Sequence, residues 1–178
     1  VTVRDLHLLG SPVLREASAP VAVVDDEVRR FVADLFETMH AAKGIGLAAN
    51  QVGVARRVAV VEVEDQRLVL INPRIVEASG KDTAEEGCLS IPEVYADVTR
   101  PERVVLEAMD EYGNPYRREL SALPARAVQH EIDHLDGILF VDHLSLLKRK
   151  RILVKWKKEH ADDDSYIRPV KPAPAGSS

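Results

Sequence analysis

The stretch AVQHEIDHLDG, residues 127–137, constrains this chain more than any other. On a helix, His130 and His134 lie four residues apart and therefore one above the other on the same face. Two imidazoles so placed can grip one divalent ion. Glu131 is rotated by about 60° from His134 at ~100° per residue, which sets its carboxylate beside such an ion. That position suits a base acting on water rather than a ligand. Val128, Ile132 and Leu135 make the other side apolar, so this is a buried helix and not a surface helix that happens to carry two histidines. Buried imidazole and carboxylate groups need partners, and the rest of the chain must supply them.

The flanking pattern shows what surrounds that helix. Ser11-Pro12 reads as a cap and first helical position for a turn through about Glu16. After Val24, the residues Val28, Phe31, Val32, Leu35 and Met39 recur as one apolar stripe. Asp25 or Asp26 can cap that helix, and Gly44 is a plausible stop. Arg57 to Glu62 and Arg67 to Ile71 are aliphatic runs separated by Glu64-Asp65-Gln66, the pattern of a hairpin. Val98 to Arg100, Val104 to Met109 and Pro115 to Leu120 read as further short strands, the last two joined by the turn Glu111-Tyr112-Gly113-Asn114. Helical pattern returns from about Pro124 to Asp136. A final helix capped by Ser145 carries Leu146, Ile152, Leu153 and Trp156 among seven Lys and Arg residues. Helix, strands and helix again give an α+β fold, with small antiparallel sheets packed around a central HExxH helix and a C-terminal helix. At 178 residues the chain fits one domain, expected over 1–160. The segment 161–178 is expected to be a disordered tail.

A catalytic site needs a third protein ligand and an open position. In the extended pattern H-E-x-x-H-x-x-G-x-x-H, Gly137 fits but Phe140 stands where the third histidine belongs, so that reading fails. Glu159 is the only glutamate after His134, at the far end of the basic helix, and fits a solvated surface group better. Cys88, in EEGCLS, is the single cysteine. Its thiolate would complete a two-histidine, one-cysteine site, although a lone cysteine is more often a small buried hydrophobe. One cysteine also excludes an internal disulfide and suits a reducing compartment. The net charge of −5 argues against a general nucleic-acid binder, DNA included. The N-terminal stretch has no apolar run able to enter or span a membrane. These features give the expectation of a cytoplasmic protein.

Three stretches together resemble one family. GIGLAANQ, residues 44–51, is similar to the first motif of bacterial peptide deformylases, G-x-G-L-A-A-x-Q. EGCLS, residues 86–90, resembles their second, and QHEIDH, residues 129–134, their third. The motifs stand in the family's order and near its spacing, and the likeness runs over roughly residues 4 to 160 of the chain. The resemblance implies a metal-dependent hydrolase that removes the N-formyl group from formyl-methionine at the start of nascent polypeptides, releasing formate. It implies ligation by Cys88, His130 and His134, with Fe(II) as the usual ion and zinc, nickel or cobalt able to replace it. The donor set alone would suggest zinc. Glu131 would carry the proton, while the Gln51 side chain and the Leu89 backbone N–H would hold the developing oxyanion. Such donors contribute about 3 kcal/mol each.

Gly44 and Gly46 would let a strand-like backbone approach the peptide closely. Ile45, Leu123 and Ala127 are candidates for the wall of the methionine slot. Glu86 is expected to pair with Arg100. His7, His40, His143 and His160 are not expected to be ligands. The basic helix 146–160 is expected either to be a solvated face or to dock on the ribosome. Two alternatives remain at this stage: an endopeptidase using His130, His134 and Glu159, and a non-catalytic domain that binds ribosomes or nascent chains through a structural metal. A structural site, however, closes its fourth position and needs neither Glu131 nor Gln51.

Overall fold

Val28 donates its backbone N–H to the Asp25 side chain at 3.0 Å, which starts helix α1 (Asp26–Ala41) and settles which aspartate is the cap. The computed structural model describes residues 1–172. The strands are β1 (Leu6–His7), β2 (Gly46–Ala48), β3 (Val58–Val63), β4 (Gln66–Ser79), β5 (Asp82–Cys88), β6 (Ile91–Arg100), β7 (Arg103–Met109), β8 (Pro115–Ser121) and β9 (Ile167–Arg168). Two further helices are α2 (Ala122–Leu135) and α3 (Leu146–Glu159). The central sheet has five strands in the order β2-β3-β4-β7-β8, and β5-β6 and β1-β9 form two small sheets. Every pairing between these strands is antiparallel. This is the expected α+β architecture.

The central sheet is covered on both faces, which explains why β3 reads VAVVEV without alternation. Val58 and Val60 point into a core with Phe31, Leu35 and Met39 of α1. Ala59 and Val61 point the other way, into a second core with Val128, Ile132 and Leu135 of α2. The HExxH helix is thus clamped against the sheet by its apolar face. Burying each such Val, Leu or Phe side chain contributes about 1.5–3 kcal/mol. Phe140, in the slot a third histidine would need, is 1% exposed in the first core and stacks on the His130 ring.

Besides β1, β2 and residues 72–79 of β4, which the sequence pattern does not mark, and α1 ending at Ala41 and not at Gly44, the structure departs from the sequence reading chiefly in three places. β5, sequence DTAEEGC, carries no apolar signal; it is held by its hairpin to β6, of which the sequence pattern marks only Val98 to Arg100. Leu146 is 84% exposed and outside the core, so α3 is seated by buried Trp156 and half-buried Ile152 and Leu153. Third, the segment beyond Ala161 is not featureless within the described residues, because Ile167–Arg168 pairs with β1. The composition of that segment hid a pairing that depends on a partner strand 160 residues away. Residues 173–178 of the expected tail lie outside the described part. No helix among the described residues is long and apolar enough to cross a membrane.

Candidate metal centre and substrate cleft

α2 brings the Nε2 atoms of His130 and His134 to 3.2 Å from each other. The β5–β6 hairpin supplies the third group. Its register shifts between Glu86 and Cys88, an irregularity of the kind that re-aims a side chain, and the Cys88 Sγ lies 3.3 Å from His134 Nε2. Sulfur and both nitrogens fall within 4.8 Å of one another, and this is the metal-capable group of His, Cys, Asp or Glu side chains found among the described residues. Tetrahedral ligands at ~2.0–2.3 Å from one ion must stand roughly 3.3–3.6 Å apart, so the spacing fits a cation. The donors fit chemically as well. His130 Nδ1 donates to the Glu86 carboxylate at 2.9 Å, which orients the ring and aims Nε2 at Cys88 and His134. Burial would lower the His130 pKa, but its bonds to Cys88 and Glu86 overcome this and raise it, so a cation bound there must displace the Nε2 proton. Burial lowers the pKa of His134 well below its usual value, so that ring is neutral, the state a ligand requires.

Behind the ligands lies a buried ionic network. Glu86 accepts hydrogen bonds from Arg100 Nε and Nη2 at 2.6 and 3.0 Å and from Arg126 Nη1 at 2.5 Å. Arg100 also reaches Asp133 at 2.9 Å, and Asp133 contacts His143 Nε2 at 2.7 Å. Burial alone would raise the pKa of Glu86, but its bonds to His130 and Arg100 overcome this and hold it well below the usual carboxylate range. The expected Glu86–Arg100 pair is present. Arg126 and Asp133 are functional neighbours that the sequence reading missed; their only signal was a charge placed inside an apolar helical pattern.

Glu131 is 4% exposed, and its Oε1 has no hydrogen-bond partner. Burial pushes its pKa up to about 7, against the opposing influence of His130. It faces β2 so closely that a Cβ on Gly46 would collide with its carboxylate. Gly44 is equally constrained, because a Cβ there would lie 2.6 Å from Leu89 Cδ1. Gln51 is buried, and its Oε1 accepts the Ala48 N–H at 2.9 Å. That bond turns the amide so that Nε2 faces Ser90 Oγ at 3.1 Å and Cys88 Sγ at 3.7 Å.

These groups open into one cleft of about 600 Å³, which Gly44, Ile45, Gly46, Leu123 and Ala127 line together with Cys88, Leu89, His130 and Glu131. All the residues singled out in the sequence for the site therefore converge. The cleft also takes in Pro92, Val94 and Tyr95 of β6 and Arg168 to Val170. The first three directly follow the second motif and could have been suspected, whereas nothing local in the sequence marks the last three.

The family model for polypeptide deformylases matches residues 3–150. The chain belongs to the polypeptide deformylase family. It is 53% identical over 162 residues to a peptide deformylase of Alkalilimnicola ehrlichii, covering 89% of this chain and 91% of that one. To a peptide deformylase of Chromohalobacter salexigens it is 54% identical over 151 residues, 83% and 89% of the two chains. Among solved structures, a peptide deformylase from Ehrlichia chaffeensis in complex with actinonin superposes with a TM-score of 0.86 at 38% identity, over 89% of this chain and 98% of that one.

Within this deformylase, Glu159 is not part of the metal group. It ends α3 with its side chain 55% exposed and lies 3.8 Å from Lys155, so the endopeptidase arrangement has no geometric basis. The remaining histidines have other partners: His7 faces Ser11, His40 faces Glu62 and His160 faces the Trp156 carbonyl.

Proposed function

We propose that this deformylase hydrolyses the N-formyl group of formyl-methionyl nascent peptides through Cys88, His130 and His134 as metal ligands and Glu131 as proton carrier. One observation carries the assignment: a cysteine and two histidines converge beside a buried, unpartnered carboxylate at the base of an open cleft. Fe(II) is the ion we assign, with zinc, nickel or cobalt able to use the same donors. The ion supplies Lewis acidity, which makes water a competent nucleophile near neutral pH.

The protein's own residues do the rest. Glu131 takes the proton of the attacking water and returns it to the departing amine nitrogen, so one water yields formate and a free α-amine. Gln51 Nε2 and the Leu89 backbone N–H hold the formyl oxygen as negative charge develops on it. The peptide lies along the free edge of β2, the outer strand of the central sheet, and adds to it by backbone hydrogen bonds. Gly46 leaves the Glu131 carboxylate, and Gly44 the Leu89 side chain, room to stand close against this backbone, while Ile45, Leu123 and Ala127 offer apolar wall to the methionine side chain. A single catalytic domain carries this work, extending past the expected boundary at residue 160 to take in β9 and Val170, in the bacterial cytoplasm where formylated chains emerge. The basic face of α3 is our candidate for ribosome contact.

The test is formate release from formyl-Met-Ala-Ser by anaerobic, Fe(II)-loaded protein, together with metal analysis of Cys88→Ala. Loss of both metal and turnover in that variant is expected. Retention of full metal content would remove Cys88 from the site.

A further inference from the structure

The β9 segment belongs to the cleft although it lies far beyond the three motifs. It is held firmly. The Leu8 N–H donates to the Tyr166 carbonyl at 2.7 Å, and Leu6 and His7 pair with Arg168 and Ile167. Asp163 Oδ1 accepts the backbone N–H groups of Ser165 and Tyr166 at 3.1 and 2.9 Å. The Tyr166 ring covers Gly10, which has φ of +114° and where a Cβ would come within 2.7 Å of the ring. Arg168, at the end of β9, and Val170 just beyond it both line the cleft that holds Cys88, His130 and Glu131. Val170 packs against the first core, while Arg168 is exposed.

The rim of this cleft is charged. Lys43 and Arg168 line it, as do Glu85 and Glu93, and none of the four forms an ion pair among the described residues. Exposed cations without acidic partners, fixed over a peptide cleft, are free to meet charge on the peptide. The methionine side chain needs apolar wall and cannot be the group that Arg168 meets. We infer that Arg168 is a specificity-determining residue, which binds an acidic side chain of the nascent peptide downstream of the formyl-methionine. This rests on the deformylase reading above.

The test measures kcat/KM on formyl-Met peptides in which Asp, Ala or Lys is placed in turn at the second, third and fourth residues. Each variant's ratio of Asp to Lys peptides is its own reference. The wild-type protein is expected to favour Asp over Lys by about two- to five-fold at one of these positions, the range of an exposed ion pair. The preference should reside in KM and shrink with added salt. Arg168→Gln should remove it and Arg168→Glu should invert it. Gly10→Ala, which disturbs the Tyr166 anchor without changing charge, should weaken it. Equal ratios in the wild-type protein, or a ratio unmoved by Arg168→Glu, would overturn the inference while leaving deformylation intact. Absence of formate from every peptide would defeat the deformylase reading and this inference with it.

Discussion

At the scale of single residues, the proposed chemistry rests on the buried Glu131 carboxylate and on the space that Gly46 leaves for it. Glu131→Gln keeps size and hydrogen-bonding capacity but cannot shuttle a proton, so kcat should fall by about 10²–10⁴-fold with metal content unchanged. Stopped-assay formate release paired with metal analysis checks both halves. Gly46→Ala should also lower kcat, because the new methyl displaces the Glu131 carboxylate, and a crystal structure of the variant should show that carboxylate moved. Much of the site was legible at this scale because its chemistry sits in short runs: QHEIDH, EGCLS and the glutamine after GLAAN. Arg126 was not legible. A single arginine in PARAV reads as a surface charge, and only the approach of β5 to α2 turns it into a partner of Glu86 at 2.5 Å.

Elements hold those residues in place, and two of them make further predictions. Arg100 clamps Glu86 in β5 to Asp133 in α2, buried at 5% side-chain exposure. Arg100→Leu would leave the Glu86 charge short of a partner and should cost about 3–5 kcal/mol, read as a shift of the urea midpoint. The turn Phe140–His143 after α2 is pinned by Asp142, which accepts from Arg15 at 2.6 Å and from the Leu139 N–H at 3.0 Å. Burial would raise the Asp142 pKa, but the Arg15 hydrogen bond outweighs it and lowers the value below the usual 3.8. A carboxyl depressed on folding stabilises above its unfolded pKa, and that contribution is lost as pH falls toward the folded value. Asp142→Asn should therefore be less stable than wild type at pH 7, with the gap narrowing below about pH 4, as thermal melts across pH would show. α1 and α2 are legible from their helical periodicity, and β3 and β7 as short aliphatic runs between turn signals. β5 and β9 were not, since DTAEEGC is polar and the pair Ile167–Arg168 exists only against β1.

The whole molecule is a central sheet with a helix on each face, and the cleft opens where the HExxH helix meets the outer strand β2. Cys88 in a hairpin and both histidines in α2 tie separate elements through one site, so metal binding is coupled to folding. Chelation should lower the melting temperature, and readdition of the ion should restore it, whereas Cys88→Ala should melt at the same temperature with and without chelator. The most direct measurement is formate release from formyl-Met-Ala-Ser by the anaerobic Fe(II)-loaded chain, run beside Glu131→Gln carrying equal metal. The account predicts stoichiometric formate and free amine from the wild-type chain and turnover lowered at least a hundred-fold in the variant. No formate from a fully loaded wild-type chain, or equal turnover by the two, would contradict it.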